Sequence, residues 1–345
     1  MTDNNNADPR PTEIENEVPM RHSESYWRYA WRRFRRHRLA LAAGIVLLVL
    51  ILGAILAPWL TPYHYSRQNR RNMFAPPSLS VPDGQAADKC ARPQVLWWRC
   101  GIHPFGTDDL GRDILARVLH GGRVSLIVGF SAAFISTLLG TLIGAIAGYW
   151  GGALDALASR LIEIMLSIPQ LPLLLILVGL LANPEVRFGV ILTGLLGDSK
   201  SIVMIIVVII LLSWMSTARL VRGQVIALRQ RDFVEAARAV GASRVRIVLR
   251  HLLPSVTSVI IVQATLMTGE AILIESGLSF LGLGIQPPAV SWGNMLSRAQ
   301  GFLYYPNGVY IAFFPGLFIL LTVLCANFVG DGLRDALDPR YHGRV

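Results

Sequence analysis

The chain has few charged side chains: only 16% of its 345 residues are Asp, Glu, Lys or Arg, whereas 53% are hydrophobic. A soluble domain needs a larger charged fraction to cover its surface, so this composition excludes an ordinary soluble protein and indicates a membrane protein. The formal net charge of +10 comes from arginines beside apolar segments. No basic patch interleaved with aromatic residues is present, so we expect contact with lipid headgroups and none with nucleic acid.

Lysine is scarce, with only Lys89 and Lys200 beside thirty arginines. A phosphate-binding loop needs Gly-Lys-Ser/Thr, and neither lysine follows a glycine, so the chain lacks a Walker A motif. It also lacks the His-Glu-x-x-His and Gly-x-Ser-x-Gly patterns of membrane hydrolases. We therefore expect that the chain is not an enzyme and binds no cofactor or metal itself. If ATP drives its activity, another subunit must bind the nucleotide.

Long apolar segments dominate what is present. A helix needs roughly 20 apolar residues to cross a bilayer, and six segments qualify, so the predicted fold is all-α and polytopic with six transmembrane helices. The fifth segment is too long for a perpendicular span and should be tilted or bent, and prolines predict kinks in the third and sixth. The six predicted spans are Leu39 to Leu60, Val124 to Gly148, Leu161 to Ala182, Ile202 to Ala218, Ser255 to Leu283 and Val309 to Val329.

An even number of spans puts both chain ends on one side of the membrane, and arginine marks the cytoplasmic side. Eight arginines lie in residues 1–38, and a dense set runs from Arg219 to Arg250. We predict that both termini and the loop between the fourth and fifth spans are cytoplasmic. The predicted organisation is a cytoplasmic tail and basic segment 1–38, a first helix 39–60, an extracytoplasmic insertion 61–123, a five-helix core 124–329 with a cytoplasmic loop 232–254, and a cytoplasmic tail 330–345.

Two of the three cysteines, Cys90 and Cys100, fall in the predicted extracytoplasmic insertion, whereas Cys325 lies in the last span. Only the first two would meet an oxidising compartment, so we hypothesise a Cys90–Cys100 disulfide. Two free thiols are the alternative, and a zinc site is disfavoured because no convincing ligand spacing is present.

Residues 103–113 at the end of the insertion combine glycines with acidic side chains. Thr107, Asp108 and Asp109 are placed to cap a helix that begins near Leu110, and we expect Asp109 and Asp113 to pair with neighbouring arginines. The alternative is a cation site. A structural role is favoured because the arginines account for the acids.

The Arg-rich loop contains Asp232, an N-cap candidate, with Glu235 three residues later, and this pattern predicts a short helix from 233 to 240. Gly241 is expected to end it in the left-handed conformation, Ser243 to cap a second short helix, and Pro254 to mark the next boundary. The small side chains at positions 236 and 237 would leave a low surface that another protein could approach. The alternative is an amphipathic turn on lipid headgroups.

Two acids fall in the fifth span. Glu270 and Glu275 lie at membrane depth, where an acid is costly and faces a cavity or a partner. They are candidates for a transport pathway, and Glu270 would attract an ammonium group of a substrate. A structural acid between helices is the alternative for each. In the second span, Gly140, Gly144 and Gly148 predict close contact with another helix, either static or sliding.

Four motifs in the same order resemble those of one family, the dipeptide/oligopeptide/nickel ABC importer permeases, second-permease (C-type) subunit. The resemblance covers residues 28 to 340, although His251 occupies a position that is Ile in the generic docking-loop pattern, and the insertion is longer than expected. The motifs are Gly106 to Asp113, Glu235 to Pro254, Ser279 to Gly293 and Gly330 to Pro339.

The resemblance implies a type I importer (MetI-like) permease fold in a bacterial inner membrane. A homologous permease would share the pathway, two cytoplasmic ATPases would bind ATP and Mg²⁺, and an extracytoplasmic binding protein would deliver peptides. The ATPase-docking residues that the resemblance implies are Asp232, Glu235, Ala236, Ala237, Gly241, Leu253 and Pro254.

A proton-coupled secondary transporter that uses Glu270 is the alternative function. Such a carrier needs no ATPase-docking loop and usually shows an inverted repeat, which is not evident in this sequence. The sequence leaves open whether the cargo is a dipeptide, a longer peptide, a nickel chelate or another small amphiphile.

Overall fold

A computed structural model describes residues 26–79, 94–95, 98–99, 101–182 and 199–337. Cys90 and Cys100 lie outside the described residues, so their disulfide stays a prediction. The helices are α1 Tyr26–Arg36, α2 Arg38–Ile55, α3 Ala57–Leu60, α4 Ile114–Trp150, α5 Gly152–Ser167, α6 Gln170–Ala182, α7 Lys200–Leu228, α8 Asp232–Ala239, α9 Arg244–Ile247, α10 Leu253–Phe280, α11 Trp292–Ala299 and α12 Val309–Leu337.

Short turns and one small hairpin complete the described structure. A π-helical turn, Val248–Leu252, joins α9 to α10, and 3₁₀ turns cover Arg70–Asn72 and Gln300–Phe302. Strands β1 Gln94–Val95 and β2 Trp98–Arg99 pair antiparallel within the insertion. The described part of the fold is therefore helical apart from this hairpin, which confirms the predicted class.

Within the described residues, five helices are long and apolar enough to cross a membrane, and a sixth span is counted if the bent pair α5 and α6 crosses as one unit. The third predicted span, Leu161 to Ala182, is not one helix: α5 and α6 meet at an angle of 93°. Ile168 takes an extended conformation at the break, because the proline that follows disfavours helical backbone at this position. The kink predicted in the third span is thus a right-angle turn between two helices.

The last helix is longer than predicted. α12 continues through the glycines after Val329 and ends at Leu337, so the start of the predicted C-terminal tail is helical. A side chain at Gly332 would lie 2.2 Å from the Ala40 side chain, and one at Gly330 would lie 2.8 Å from the Thr265 side chain. These glycines permit close packing of α12 on its neighbours and do not end the helix.

Helices α4 and α7 pack against each other along the predicted glycine seam. A Cβ atom at Gly140 would lie 2.5 Å from the Trp214 carbonyl oxygen, and one at Gly144 would lie 2.4 Å from the Ala218 carbonyl oxygen. Any side chain would push the two backbones apart, so the predicted close contact is confirmed. α10 packs on α4 and α12, and α12 also contacts α1 and α2.

Candidate functional site

The chain between α7 and α10 forms a compact turn of short helices, and we call residues 229–252 the elbow. Arg231 is the N-cap residue of α8 and makes no side-chain capping bond, so the prediction that Asp232 caps the helix is wrong. Arg231 adopts the extended cap conformation one residue earlier. Asp232 and Glu235 both lie in the first turn, where acidic side chains interact favourably with the helix dipole.

The C-terminal end of α8 follows the prediction. Gly241 has a φ of 80°, its N–H donates to the Arg238 carbonyl at 3.0 Å, and the N–H of Ala242 donates to the Ala237 carbonyl at 3.0 Å. These two bonds form a Schellman motif, which needs a left-handed residue at this position. Ser243 then caps α9 by accepting a bond from the Arg246 N–H at 3.4 Å. The elbow therefore has a defined turn between its two helical pieces.

One side of the elbow is buried against the helix bundle. Val234, Ile247 and Leu252 are almost completely buried and pack with residues of α4 and α7. Ala237 belongs to the same cluster and is 9% exposed, so the prediction that it forms part of a low outer surface is wrong. It follows Val234 by three residues, which puts both side chains on the inner face of α8. Apolar packing on this face holds the elbow against the bundle.

The opposite side of the elbow carries exposed apolar side chains. Val240 is 85% exposed, Phe233 is 42% exposed, and Val245 and Leu249 are also exposed. We call these four residues the elbow surface. They were not among the site residues predicted from the sequence, although apolar residues in a loop so rich in arginine are a usable signal. Large apolar side chains exposed together on one short segment are candidates for contact with protein or membrane.

The other residues implied by the resemblance lie around this surface. Glu235, Ala236 and Gly241 are exposed, whereas Leu253 is half-buried at the start of α10. Pro254 falls in the first turn of α10, directly after the π-helical turn Val248–Leu252. Helical backbone runs without a break from Arg244 to Phe280. The elbow is thus continuous with a candidate membrane span.

Polar contacts also hold the helix that leads into the elbow. Arg222 on α7 makes a two-bond ion pair with Asp155 on α5, including a 2.8 Å bond from Nη2 to Oδ2. Arg229, at the start of the elbow, donates to the Gly148 carbonyl at 3.0 Å. A two-bond pair of this kind fixes orientation as well as distance. These contacts connect the elbow to α4 and α5.

Glu275 on α10 is completely buried. Its carboxyl group accepts hydrogen bonds from Ser279 Oγ at 2.8 Å and Ser125 Oγ at 3.1 Å. Ser125 Oγ in turn accepts a bond from the Trp292 N–H at 3.2 Å. The cluster connects α4, α10 and α11. This arrangement favours the structural alternative for Glu275, and its role in a pathway stays a prediction.

Glu270 has a different environment. It is exposed and lines a cavity of about 300 Å³ at the break between α5 and α6, together with Ser213 and Ser216 of α7. The structure therefore gives the two acids different environments. Among the described residues, Glu270 is the pathway candidate that faces open space in this cavity, and its role in transport stays a prediction.

The acidic segment at the end of the insertion is a buried ion-pair network. Asp108 accepts bonds from the Arg112 N–H and from Arg112 Nε at 2.9 and 2.7 Å. The helix begins at Ile114 with Asp113 as its N-cap, so the prediction of a start near Leu110 is wrong. The bonds that Asp108 accepts from Arg112 hold residues 108–112 in a turn. They support the structural role favoured from the sequence.

Asp113 pairs with His103, whose Nδ1 lies 2.8 Å from Oδ1, and not with an arginine as predicted. Its other carboxyl oxygen accepts the Ala116 N–H at 2.7 Å. Burial raises the pKa of Asp113 above its ordinary value, and the hydrogen bond with His103 opposes that change. Asp109 does pair with Arg112, at 3.4 Å. No group of three or more His, Cys, Asp or Glu side chains in the described ranges is arranged to hold a metal ion.

Comparison with known protein families gives two matches. Residues 140–343 match the family described as "Binding-protein-dependent transport system inner membrane component". Residues 25–77 match the "N-terminal TM domain of oligopeptide transport permease C". The first match includes the elbow, Glu270 and Glu275, and the second includes α1, α2 and α3.

Individual proteins are similar over most of the chain. The oligopeptide transport system permease protein OppC of Haemophilus influenzae is 40% identical over 316 residues, which are 92% of this chain and 89% of that protein. The dipeptide transport system permease protein DppC of Bacillus subtilis is 39% identical over 320 residues, 93% of this chain and 88% of that protein. The glutathione transport system permease protein GsiD of Escherichia coli is 38% identical over 317 residues, 92% of this chain and 91% of that protein.

Proposed function

Because this chain belongs to the family of binding-protein-dependent transport system inner membrane components, we propose that it is one permease subunit of an ATP-driven peptide importer. A homologous permease completes the translocation pathway, two ABC ATPases bind ATP and Mg²⁺, and a binding protein delivers the cargo. Peptide cargo is supported by the names of the relatives, which transport oligopeptides, dipeptides or glutathione. The proton-coupled alternative is not favoured, because it does not account for this family membership.

The observation that carries the proposal is the elbow surface. Its four apolar side chains are exposed on a segment whose other face is packed against α4 and α7. A partner that binds there removes apolar surface from water. It also binds a segment that is held against the helix bundle, so little flexibility is lost on binding. Docking of an ATPase on Glu235, Ala236, Gly241 and the elbow surface is therefore physically reasonable.

The elbow would transmit force to the membrane through α10. Because the helical backbone continues from Arg244 to Phe280, displacement of the elbow by a closing ATPase tilts α10. The Arg222–Asp155 ion pair and the Arg229 contact with Gly148 carry the same displacement to α5 and α4. Coupling thus uses rigid connections and needs no nucleotide site on this chain.

Orientation follows from the same assignment. The elbow and both termini face the cytoplasm of a bacterial inner membrane, in agreement with the arginine-rich segments 1–38 and 219–250. The binding protein approaches the opposite end of the bundle, where the described residues 61–79 and 101–113 of the insertion lie. Lipid surrounds the apolar faces, and ATP hydrolysis takes place on the partner ATPases.

The test is retention of the ATPases by an affinity-tagged complex that contains Val240→Glu. Placing a carboxylate in an apolar interface costs several kcal/mol, and every 1.4 kcal/mol is tenfold in affinity, so ATPase retention should fall at least about tenfold. Peptide uptake should fall with it. Val240 is 85% exposed, so the melting temperature of the purified permease pair should not change.

Val309→Glu is the matched control. Val309 is also exposed and begins α12, at the end of the bundle opposite the elbow. This variant should retain the ATPases. Full retention and normal uptake in Val240→Glu would contradict the proposed docking, as would appreciable ATP hydrolysis by this chain purified alone.

A further inference from the structure

The cavity at the break between α5 and α6 is lined by one acid, Glu270. This carboxyl group makes no hydrogen bond or ion pair with any of the residues that the structure describes. It lies in α10, a candidate membrane span, where an isolated carboxylate is costly and usually has a partner or a water-filled cavity. Among the residues that the structure describes, Glu270 therefore faces a cavity and has no counter-ion of its own.

The walls of the cavity combine polar and adaptable apolar groups. Ser213 and Ser216 supply hydroxyl groups, Gln170 supplies an amide, and Met165 and Met215 supply flexible thioethers. Methionine surfaces accommodate ligands of different shape. No lysine, arginine or histidine of the described part of the chain lines the cavity. No basic side chain in the lining therefore neutralises Glu270. A volume of about 300 Å³ is at the lower end of the range for small-molecule sites.

The helix break adds backbone groups to the same space. Ser167 ends α5 and Gln170 begins α6, and both line the cavity. The ends of a broken helix expose carbonyl oxygens and N–H groups that have no partner in their own helix. A ligand with an ammonium group and amide groups matches this set of donors and acceptors.

We propose that this cavity binds the ammonium group of the cargo during transport, with Glu270 as its counter-ion. The inference rests on the proposed importer function and adds the chemical class that the pathway recognises. A basic side chain of the second permease is the competing occupant. It would fill or close the cavity in the assembled importer, whereas a cargo site stays accessible until cargo enters.

The experiment measures charge selectivity in the assembled importer with a cysteine at Ser213. A cationic and an anionic methanethiosulfonate, the ethyltrimethylammonium and ethylsulfonate reagents, label Ser213→Cys, and the importer without this substitution gives the background. Each labelling rate is divided by the rate at which the same reagent reacts with a free thiol in solution. After this correction, the cationic reagent should label Ser213→Cys roughly tenfold faster than the anionic one. Adding Glu270→Gln should bring the ratio close to one.

Glu163→Gln is the matched control. It removes the same charge from an exposed acid of α5 that pairs with Arg160, and it should leave the ratio unchanged. A ratio that is the same with and without Glu270→Gln would overturn the inference. So would a failure of both reagents to label the cysteine, because that result would mean that the second permease closes the cavity.

A second measurement tests the cargo. With binding protein and ATP present, a tryptic digest of casein should slow the labelling of Ser213→Cys at least about threefold, and the protection should disappear in Glu270→Gln. Equal protection in both backgrounds would also overturn the inference. ATPase retention and ATP hydrolysis are measured on the same preparations. Loss of ATPase retention and of ATP hydrolysis would count against the proposed function. The charge-selectivity ratio would still report on the cavity.

Discussion

Replacing Gly144 by alanine should destabilise the contact between α4 and α7. The new Cβ atom would lie 2.4 Å from the Ala218 carbonyl oxygen, whereas ordinary contacts begin at 3.4 Å. The helices would have to separate by about 1 Å at this point. Because the opposing atom is backbone, no side-chain rotation can relieve the clash.

Gly223→Ala is the matched control for this change. Gly223 lies in α7, and a Cβ atom there would meet nothing within 4 Å. Alanine is favoured over glycine in a helix by about 1 kcal/mol, and this gain applies to both variants. The difference between the two therefore isolates the cost of overpacking, about 1–3 kcal/mol.

The assay is thermal unfolding of the purified permease pair in detergent. Gly223→Ala should melt at or above the temperature of the unmodified protein, and Gly144→Ala should melt lower than Gly223→Ala by on the order of 5 °C. Equal melting temperatures with transport unchanged in both variants would show that α4 and α7 are not in close contact. If Gly144→Ala instead keeps its stability but loses transport, the seam is a sliding surface.

Three further predictions concern local contacts. Glu275→Leu should lower the melting temperature more than Glu275→Gln, because leucine leaves two serine hydroxyls without an acceptor, at about 1–3 kcal/mol for each group; equal losses would refute this. Gly241→Val should weaken ATPase retention more than Gly241→Asn, since asparagine tolerates positive φ, and a reversed order would contradict the Schellman geometry. Trp292→Phe should cost about 1–3 kcal/mol by removing the 2.8 Å bond to the Val118 carbonyl, which an unchanged melting curve would exclude.

The positions of the main helices were predictable because hydrophobic length and glycine spacing are local signals. The apolar segments marked the candidate spans, and Gly140 and Gly144 indicated a close helix contact that the structure confirms. The same kind of local signal predicted the left-handed Gly241 and the Ser243 cap. Each of these features depends on residues that are near one another in the chain.

Other features depend on contacts between distant segments. Ala237 was expected on the outer surface of the elbow, but packing against α4 and α7 puts it inside. The sixth span was predicted to end at Val329, but α12 continues through Gly330 and Gly332, which lie where it approaches Thr265 and Ala40. A glycine has the same local preference in both settings, so only its neighbours in space distinguish them.

The sequence by itself determined that this is a polytopic membrane protein without a Walker A motif, because composition, apolar length and a missing motif are properties of the chain alone. It also determined the family through four ordered motifs. Only the tertiary structure decided that Glu275 is enclosed by serines of two helices while Glu270 faces a cavity at a helix break. Two acids five residues apart on one helix point in different directions, and what each one meets depends on segments far away in the sequence.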